Sequence, residues 1–553
     1  MRPVLTVLLA SLTLVAQVPR LTEVQERRLS NGVRVLLVEQ KGLGAFHATL
    51  AFRGGWAEEP PALAGATELL ARAAYGATWP EDLEGGRPQA QQEALLKEEE
   101  GLLEALRLER LRQRRNPAAD SPLPALEASL AALQARKAGQ QSAGPLLDRV
   151  RAAGGRQSAE AGPDALLVHA ELPAEAFATW CAGEGQRLRA LLLSRFAPAR
   201  EALTEALRAP GDPASALLRG AALPGHPYGR NLGDHLAAVE ALRWSDLRAH
   251  ARRTLSPERL MVVLVGDLSL AQAQPLLERH LGSLPVPPAA EEAPLPEVRA
   301  DLGDRQVQAV AGADPRLLVA WRTPPRSHPD HLPLRLAARL LDGGRAGELT
   351  LRLARQRRLV RSVAVALDVP GGRLPGLLTV DLVAEEGHAL AEVEAALHGE
   401  VLRLHQEALP HEAWTRALAA LEMEALQALD QPAHLARALA LAWAEAGDWR
   451  LVDLEVQRLR TLSPETVQAA VRTWLVPSHR TTLHLAAAPA EDQDPLEAAL
   501  ARALTALTAA RVQDLAQRER LVAEGLRQLR MLGPEERRQA LRILEAQAAA
   551  VRR

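Results

Sequence analysis

The chain has 553 residues, 66 Lys and Arg against 68 Asp and Glu, 47% hydrophobic residues and a single cysteine. That length and apolar content suffice for several packed domains, while the near balance of charge supplies no global field for nucleic acid or an anionic membrane. The lone Cys181 excludes an intrachain disulfide framework and a thiolate metal cluster, and its helical, partly apolar surroundings mark it as a small core residue.

At the start, Arg2 precedes an apolar run from Val4 to Val15 with small residues around Ala16. This is the layout of a secretory signal peptide over residues 1–17, too short to cross a bilayer. No cysteine follows to carry a lipid anchor. The mature protein is therefore expected to be soluble, periplasmic or secreted, and without membrane insertion.

Arg27 to Val38 reads as two apolar runs joined at Asn31-Gly32, a hairpin signal. A third strand is predicted at Phe46–Phe52, broken by Gly54-Gly55, and Leu63–Tyr75 has the apolar spacing of a buried helix. Residues 88–138 differ in kind. Leu95, Leu96, Leu102, Leu103, Leu106 and Leu111 lie among Glu, Arg and Gln, and Asn116-Pro117 with Pro122 and Pro124 interrupts them, which predicts an inserted helical hairpin.

A strand at Ala165–Leu172, a helix at Ala174–Leu193 and another at Pro198–Arg208 are predicted next. They are followed by a turn at Gly225-His-Pro-Tyr-Gly-Arg230 and a buried strand within Arg259–Asp267. The Pro-rich stretch 285–297 reads as a linker. Beyond it, Arg316–Arg322 followed by a helix at Pro329–Leu341 repeats the strand-then-helix order of Phe46–Tyr75. Two similar α+β domains in tandem, 22–284 and 298–490, are expected, then a helical C-terminal extension over 494–553 interrupted at Gly533-Pro534.

Several pieces, in order and spacing, resemble the insulinase (pitrilysin, inverzincin) family of zinc metallopeptidases across 22–490. They are Ser30-Asn-Gly32, Gly54-Gly-Trp-Ala-Glu-Glu59, the helix from Gly65 to Tyr75 ending at Thr78, His226-Pro-Tyr-Gly229, Val265-Gly-Asp267, Ser327-His-Pro-Asp330 and Leu341-Asp-Gly-Gly-Arg345. The resemblance implies an α+β fold of two tandem insulinase-like domains, of the LuxS and processing-peptidase type, forming a clamshell. Active members carry H-x-x-E-H on the first helix, two His binding zinc and a Glu acting as general base on the bound water. Here the three positions read Glu68, Ala71 and Arg72. An Ala takes no proton, and a permanently charged Arg repels a dication.

The family's third ligand, a Glu three residues after a buried aliphatic, counts from Leu203 to Ala206; a one-residue shift would bring in Glu205 or Glu201. The substrate-pairing edge strand, N-A-x-T in the family, corresponds to Ser158-Ala159-Glu160-Ala161, and an Arg and a Tyr that hold the substrate backbone fall near Glu348 and Arg361. A hydrophobic groove between the halves is expected to favour an extended peptide adding beside Ala159.

Elsewhere, His328, Asp330 and His331 read as a capping turn rather than a surface metal site, and neither G-x-S-x-G nor a phosphate-binding glycine loop occurs. The sequence thus reads as a degenerate, non-catalytic insulinase-type protein without zinc or another cofactor. Its partners would be an H-x-x-E-H-bearing paralogue in a heterodimer, or a second copy in a homodimer, with a peptide as ligand. Two alternatives stay open: a structural scaffold unrelated to proteolysis, and an active zinc peptidase with a rearranged site built on Glu68 with Glu201 or Glu205. Two carboxylates without His suit zinc poorly.

Overall fold

The computed structural model describes residues 23–75, 89–116, 120–138, 154–191, 195–209, 212–231, 235–287, 303–310, 314–342, 347–487, 515–530 and 532–551, with isolated positions between them. The expected signal peptide, most of the 285–297 linker and the start of the C-terminal extension lie outside these residues. The chain divides into two compact units, Met1–Val307 with Leu317–Leu483, and Gln308–Arg316 with His484–Arg553.

The first sheet comprises β1 (Gln25–Arg28), β2 (Arg34–Glu39), β3 (Ala45–Arg53), β4 (Arg156–Ala161), β5 (Ala165–Pro173) and β6 (Leu260–Gly266), in the order β1-β2-β6-β3-β5-β4. The predicted hairpin forms as read: Leu29 N–H donates to Val33 O at 2.9 Å and Gly32 takes φ 94, a conformation that favours glycine. The apolar run of β6 is central and buried throughout, running parallel to β2 and antiparallel to β3. Its last residue, Gly266, lies so close to Ala45 O and Phe46 that a Cβ would not fit.

Helices of the first half are α1 (Ala66–Tyr75), α2 (Gln89–Arg115), α3 (Leu123–Ala138), α4 (Phe177–Ala190), α5 (Phe196–Arg208), α6 (Pro213–Ala222), α7 (Leu236–Ala241), α8 (Trp244–Thr254) and α9 (Leu270–Leu277). One sheet face and these helices share a core in which Phe46, Leu50 and Phe52 meet Leu69, Leu70 and Trp180. Phe46 contacts Phe177 and Trp180 edge-to-face at 5.3 and 5.8 Å. Cys181 is buried in this core.

The helical insert is the pair α2–α3, with α2 running 27 residues. Lys137 meets the buried Glu99 at 2.5 Å across the pair, and Arg248 of α8 reaches Glu93 at 2.5 Å, tying the base of the insert to the domain.

The second sheet comprises β7 (Arg305–Val310), β8 (Arg316–Thr323), β9 (Val360–Val369), β10 (Gly376–Ala384) and β11 (Arg480–Ala486), in the order β7-β11-β8-β10-β9. Its helices are α10 (His331–Leu341), α11 (Leu390–Gln406), α12 (His411–Asp430), α13 (Pro432–Ala446), α14 (Leu451–Leu459) and α15 (Pro464–Trp474). The β8–α10 succession repeats β3–α1. Trp321, Leu334, Val380, Leu397 and Val471 belong to its core. In the second unit, α16 (Leu515–Arg530) and α17 (Pro534–Val551) flank the break at Gly533, whose N–H donates to Glu536.

The second half also contributes to the first. Helix α13 lies on the face of the first sheet opposite α1, where Leu435, Leu439 and Trp443 pack against Leu36, Leu167 and Val263. The first sheet is therefore covered on both faces, and the two halves of the chain share a core.

Candidate functional site

Helix α1 is held rigidly at its start. The buried Glu59 carboxylate accepts from Gly65 N–H at 2.7 Å and Thr67 N–H at 2.5 Å, satisfying free donors of the first turn. Arg230 donates to Glu59 O at 2.5 Å, and Thr67 Oγ1 lies 3.1 Å from His250 Nε2. The helix onto which the resemblance places the metal motif thus has its first-turn donors satisfied.

The positions matched to that motif by the resemblance hold other chemistry. Arg72 donates from both Nε and Nη2 to Glu68 Oε1 at 2.9 Å, one turn away, with both side chains part-exposed. Ala71 is buried in the core. On α5, which packs against α1, Leu203 and Thr204 are buried, whereas Glu201, Glu205 and Ala206 are exposed and Glu205 pairs with Arg208 at 3.4 Å. The donor set does not fit zinc: the single carboxylate on α1 is already held by a guanidinium, and no imidazole stands with it. Among the described residues, no three His, Cys, Asp or Glu side chains gather as a metal cluster.

Ser158, Ala159, Glu160 and Ala161 lie on β4, which among the described residues is the edge of the first sheet, paired with β5. Gly162 N–H donates to Ala165 O at 2.8 Å, closing the hairpin. The alternation of an antiparallel ladder then turns the backbone groups of Gln157, Ala159 and Ala161 to the open side. Their side chains face the helices, with Ala159 and Ala161 against the core that includes α1 and Gln157 donating to the buried Glu184 at 2.9 Å. Glu160 faces the other way, 3.7 Å from His169 and 2.9 Å from Arg437 of α13; these two neighbours hold its carboxyl below the ordinary range despite partial burial.

The edge of the second sheet is treated differently. On β9, Val365 N–H donates to Asp342 Oδ2 at 3.0 Å, so a side chain occupies the middle of that edge. Arg361 is exposed on the same strand, while Glu348 is taken by Arg352 at 2.9 Å. The turn before α10 is a capping turn: His328 Nδ1 accepts from Asp330 N–H at 3.1 Å, and the buried His331 pairs with Asp368 at 2.7 Å.

The hydrophobic groove expected between the halves is not what the junction holds. A cavity of about 260 Å3 opens beside the end of β4, and Glu160, Asp164, Asp368, Arg437 and Glu445 share its lining with apolar side chains. The apolar sheet face that would have bordered a groove is covered by α13.

Sequence reasoning missed a set of residues that join the halves. Asp164, in the turn between β4 and β5, accepts from Tyr228 OH at 2.5 Å and from the N–H groups of Gly372 and Arg373 at 3.1 Å each. Tyr228 OH accepts from Leu374 N–H at 3.2 Å, and Glu58 pairs with Arg259 at 2.6 Å and with Arg373. The only sequence signals were the doublet Gly371-Gly372 and the Tyr of the His226-Pro-Tyr-Gly turn, neither of which names its partner.

Residues 243–421 match the family model of the peptidase M16 inactive domain. Among solved structures, the chain is similar to a protease from Helicobacter pylori, at 13% identity and a TM-score of 0.67, over 84% of this chain and 99% of that one. It is similar to a peptidase M16 inactive domain from Pseudomonas fluorescens at 15% identity and 0.61, over 84% and 98%. The first half of the periplasmic protease PqqL from Escherichia coli aligns at 13% identity and 0.58, over 95% of this chain and 97% of that one, whereas 46% of the longer PqqL chain is covered. No curated protein sequence matches. The chain accordingly has the insulinase-type (M16) fold, and its residues 243–421 carry the M16 inactive-domain signature.

Proposed function

We propose that this chain is a non-catalytic insulinase-type subunit that binds an extended peptide, or an extended segment of a partner, along β4. The observation that carries the reading is the Arg72–Glu68 pair: the ligand positions neutralise each other on a helix whose scaffold is preserved, while the neighbouring sheet edge keeps its outward backbone groups. β-strand addition supplies main-chain hydrogen bonds without any catalytic group.

The partner in this reading is an H-x-x-E-H-bearing paralogue or a second copy of the chain. The PqqL coverage supports it, since this chain matches one half of that longer protease. Export follows from residues 1–17 and is proposed on that basis. Zinc content and peptide turnover test the reading. After incubation with zinc and desalting, the purified chain should retain substoichiometric metal and leave a bound unstructured peptide uncut. Stoichiometric zinc with chelator-sensitive cleavage would establish the rearranged-site peptidase instead.

A scaffold role is the second reading, favoured by similarity in fold to a chain of complex III2 from Candida albicans, at 12% identity and a TM-score of 0.60. Affinity purification from the native envelope, with mass spectrometry of stoichiometric partners, separates the two. An H-x-x-E-H-bearing relative supports the peptidase subunit, and unrelated partners support the scaffold.

A further inference from the structure

The turn that ends β4 is gripped from two sides. From its own half, Gly54 N–H donates to Asp164 O at 2.8 Å, Trp56 N–H to Gly162 O at 3.1 Å and Ala57 N–H to Pro163 O at 3.1 Å. Gly55 lies so close to Gly162 O and Pro163 that no Cβ fits. From the second half, the β9–β10 loop presents Gly372, Arg373 and Leu374 N–H to Asp164 and Tyr228, and sends the Arg373 side chain to Glu58, one turn from Trp56. Gly371 fills the space between Asp164, Pro163 and Tyr228 OH, where a Cβ would collide with all three. The loop is anchored on its own side by Arg326 N–H donating to Gly372 O at 2.8 Å, and the half-buried Arg326 side chain lies between Glu445 and Glu455 at 2.8 and 2.9 Å.

We propose that the β9–β10 loop is a latch by which the second half positions the peptide-binding edge of the first, with Asp164, Tyr228 and Gly371 as its positioning residues. An edge strand has one ladder instead of two to fix it, so its turn decides how firmly its open side is presented. Asp164 collects three donors, two of them from the other half, and so makes the order of β4 conditional on the loop being seated. The inference deepens the peptide-binding reading above, but its physical content, the coupling of loop to edge, does not need a peptide to be measured.

The test is native-state hydrogen exchange by mass spectrometry on the full chain, comparing the parent with Gly371→Ala, which wedges the loop out, and Tyr228→Phe, which removes only the hydroxyl. The expected result is exchange of the 156–165 amides faster by about tenfold in Gly371→Ala and by a smaller factor in Tyr228→Phe, with Leu260–Gly266 of the central β6 unchanged. A uniform rise that includes β6 would mean a general stability role and overturn the proposal, as would no change at 156–165. If Gly371→Ala fails to fold, Tyr228→Phe decides alone. Anisotropy with a labelled unstructured peptide then separates the two readings. Weaker binding in the latch variants supports both, and local exchange in a chain that binds no peptide keeps the latch and removes the peptide.

Discussion

Arg72 donates twice to Glu68 at 2.9 Å across one turn of α1, so the two residues that the family resemblance matches to zinc-ligand positions satisfy each other. The pair is part-exposed and contributes little to stability, about 0.3–0.5 kcal/mol for an i,i+4 contact. Its consequence is chemical. A cation approaching Glu68 meets a guanidinium that does not deprotonate.

Rebuilding the ligands should therefore restore metal. The variant Glu68→His, Arg72→His, Ala206→Glu is expected to take up zinc that the parent does not, measured as metal per chain after desalting. Ala71→Glu alone should cost about 1–3 kcal/mol in denaturant unfolding, because position 71 is buried and its new carboxylate lacks a partner there. Retention of zinc by the parent would show that the pair does not block the site.

Helix α13 ties the halves together, and the tie is apolar. Leu439→Ala should destabilise the chain by about 2–5 kcal/mol, since Leu439 is fully buried on the first sheet. Both halves should lose structure together, read as coincident loss of fluorescence from Trp180 and Trp321, each isolated by replacing other tryptophans. Independent transitions would contradict a shared core.

What was legible in the sequence was local. The Asn31-Gly32 hairpin, the strand at Phe46–Phe52 closed by Gly54-Gly55, the buried run of β6 and the Leu-rich insert each carry their own local pattern or turn chemistry, and each forms close to where it reads. The helix read as Ala174–Leu193 proves shorter, Phe177–Ala190, preceded by a 3-10 turn, and the next begins at Phe196 rather than Pro198. Helices α11 to α15 were not placed, because Leu/Ala-rich stretches hold few breakers; the α12–α13 boundary rests on Gln431-Pro432 alone. The latch was illegible for a different reason. Asp164, Tyr228 and Gly372 are far apart in sequence, and a buried carboxylate accepting backbone N–H groups leaves no pattern in its neighbours.

Arg358 holds φ 53 at an exposed position after the helical turn ending at Gln356. A side chain in the left-handed region costs about 1–2 kcal/mol relative to a residue without Cβ. Arg358→Gly is thus expected to stabilise the second half by about 0.5–1 kcal/mol once the greater freedom of glycine in the unfolded chain is subtracted. Thermal unfolding checks it, and a fall in midpoint would contradict the conformational argument.

Acid should weaken the anchorage of α1. Burial foremost, with Arg253 and Arg259 adding to it against the opposing Glu58, lowers His250 from 6.5 to about 4. Because the folded value lies below the unfolded one, the unfolded chain binds the proton between them. Stability is complete above pH 6.5 and falls by about 2–4 kcal/mol as pH drops through that window. The neutral ring faces Thr67 and Thr254. His250→Gln, compared with the parent by urea unfolding from pH 7 to 4, should flatten this part of the profile; an unchanged slope would assign the acid sensitivity to other groups, His226 among them.

The central claim, binding without cleavage at the β4 edge, is tested most directly by equilibrating the zinc-supplemented chain with an unstructured peptide mixture and identifying what is bound by mass. Ala159→Pro is the companion variant, since proline there removes an outward-facing N–H and spares the ladder to β5. The account predicts intact bound peptides from the parent and loss of binding in Ala159→Pro. Peptide fragments that disappear with a chelator, or binding unaffected by the proline, would contradict it.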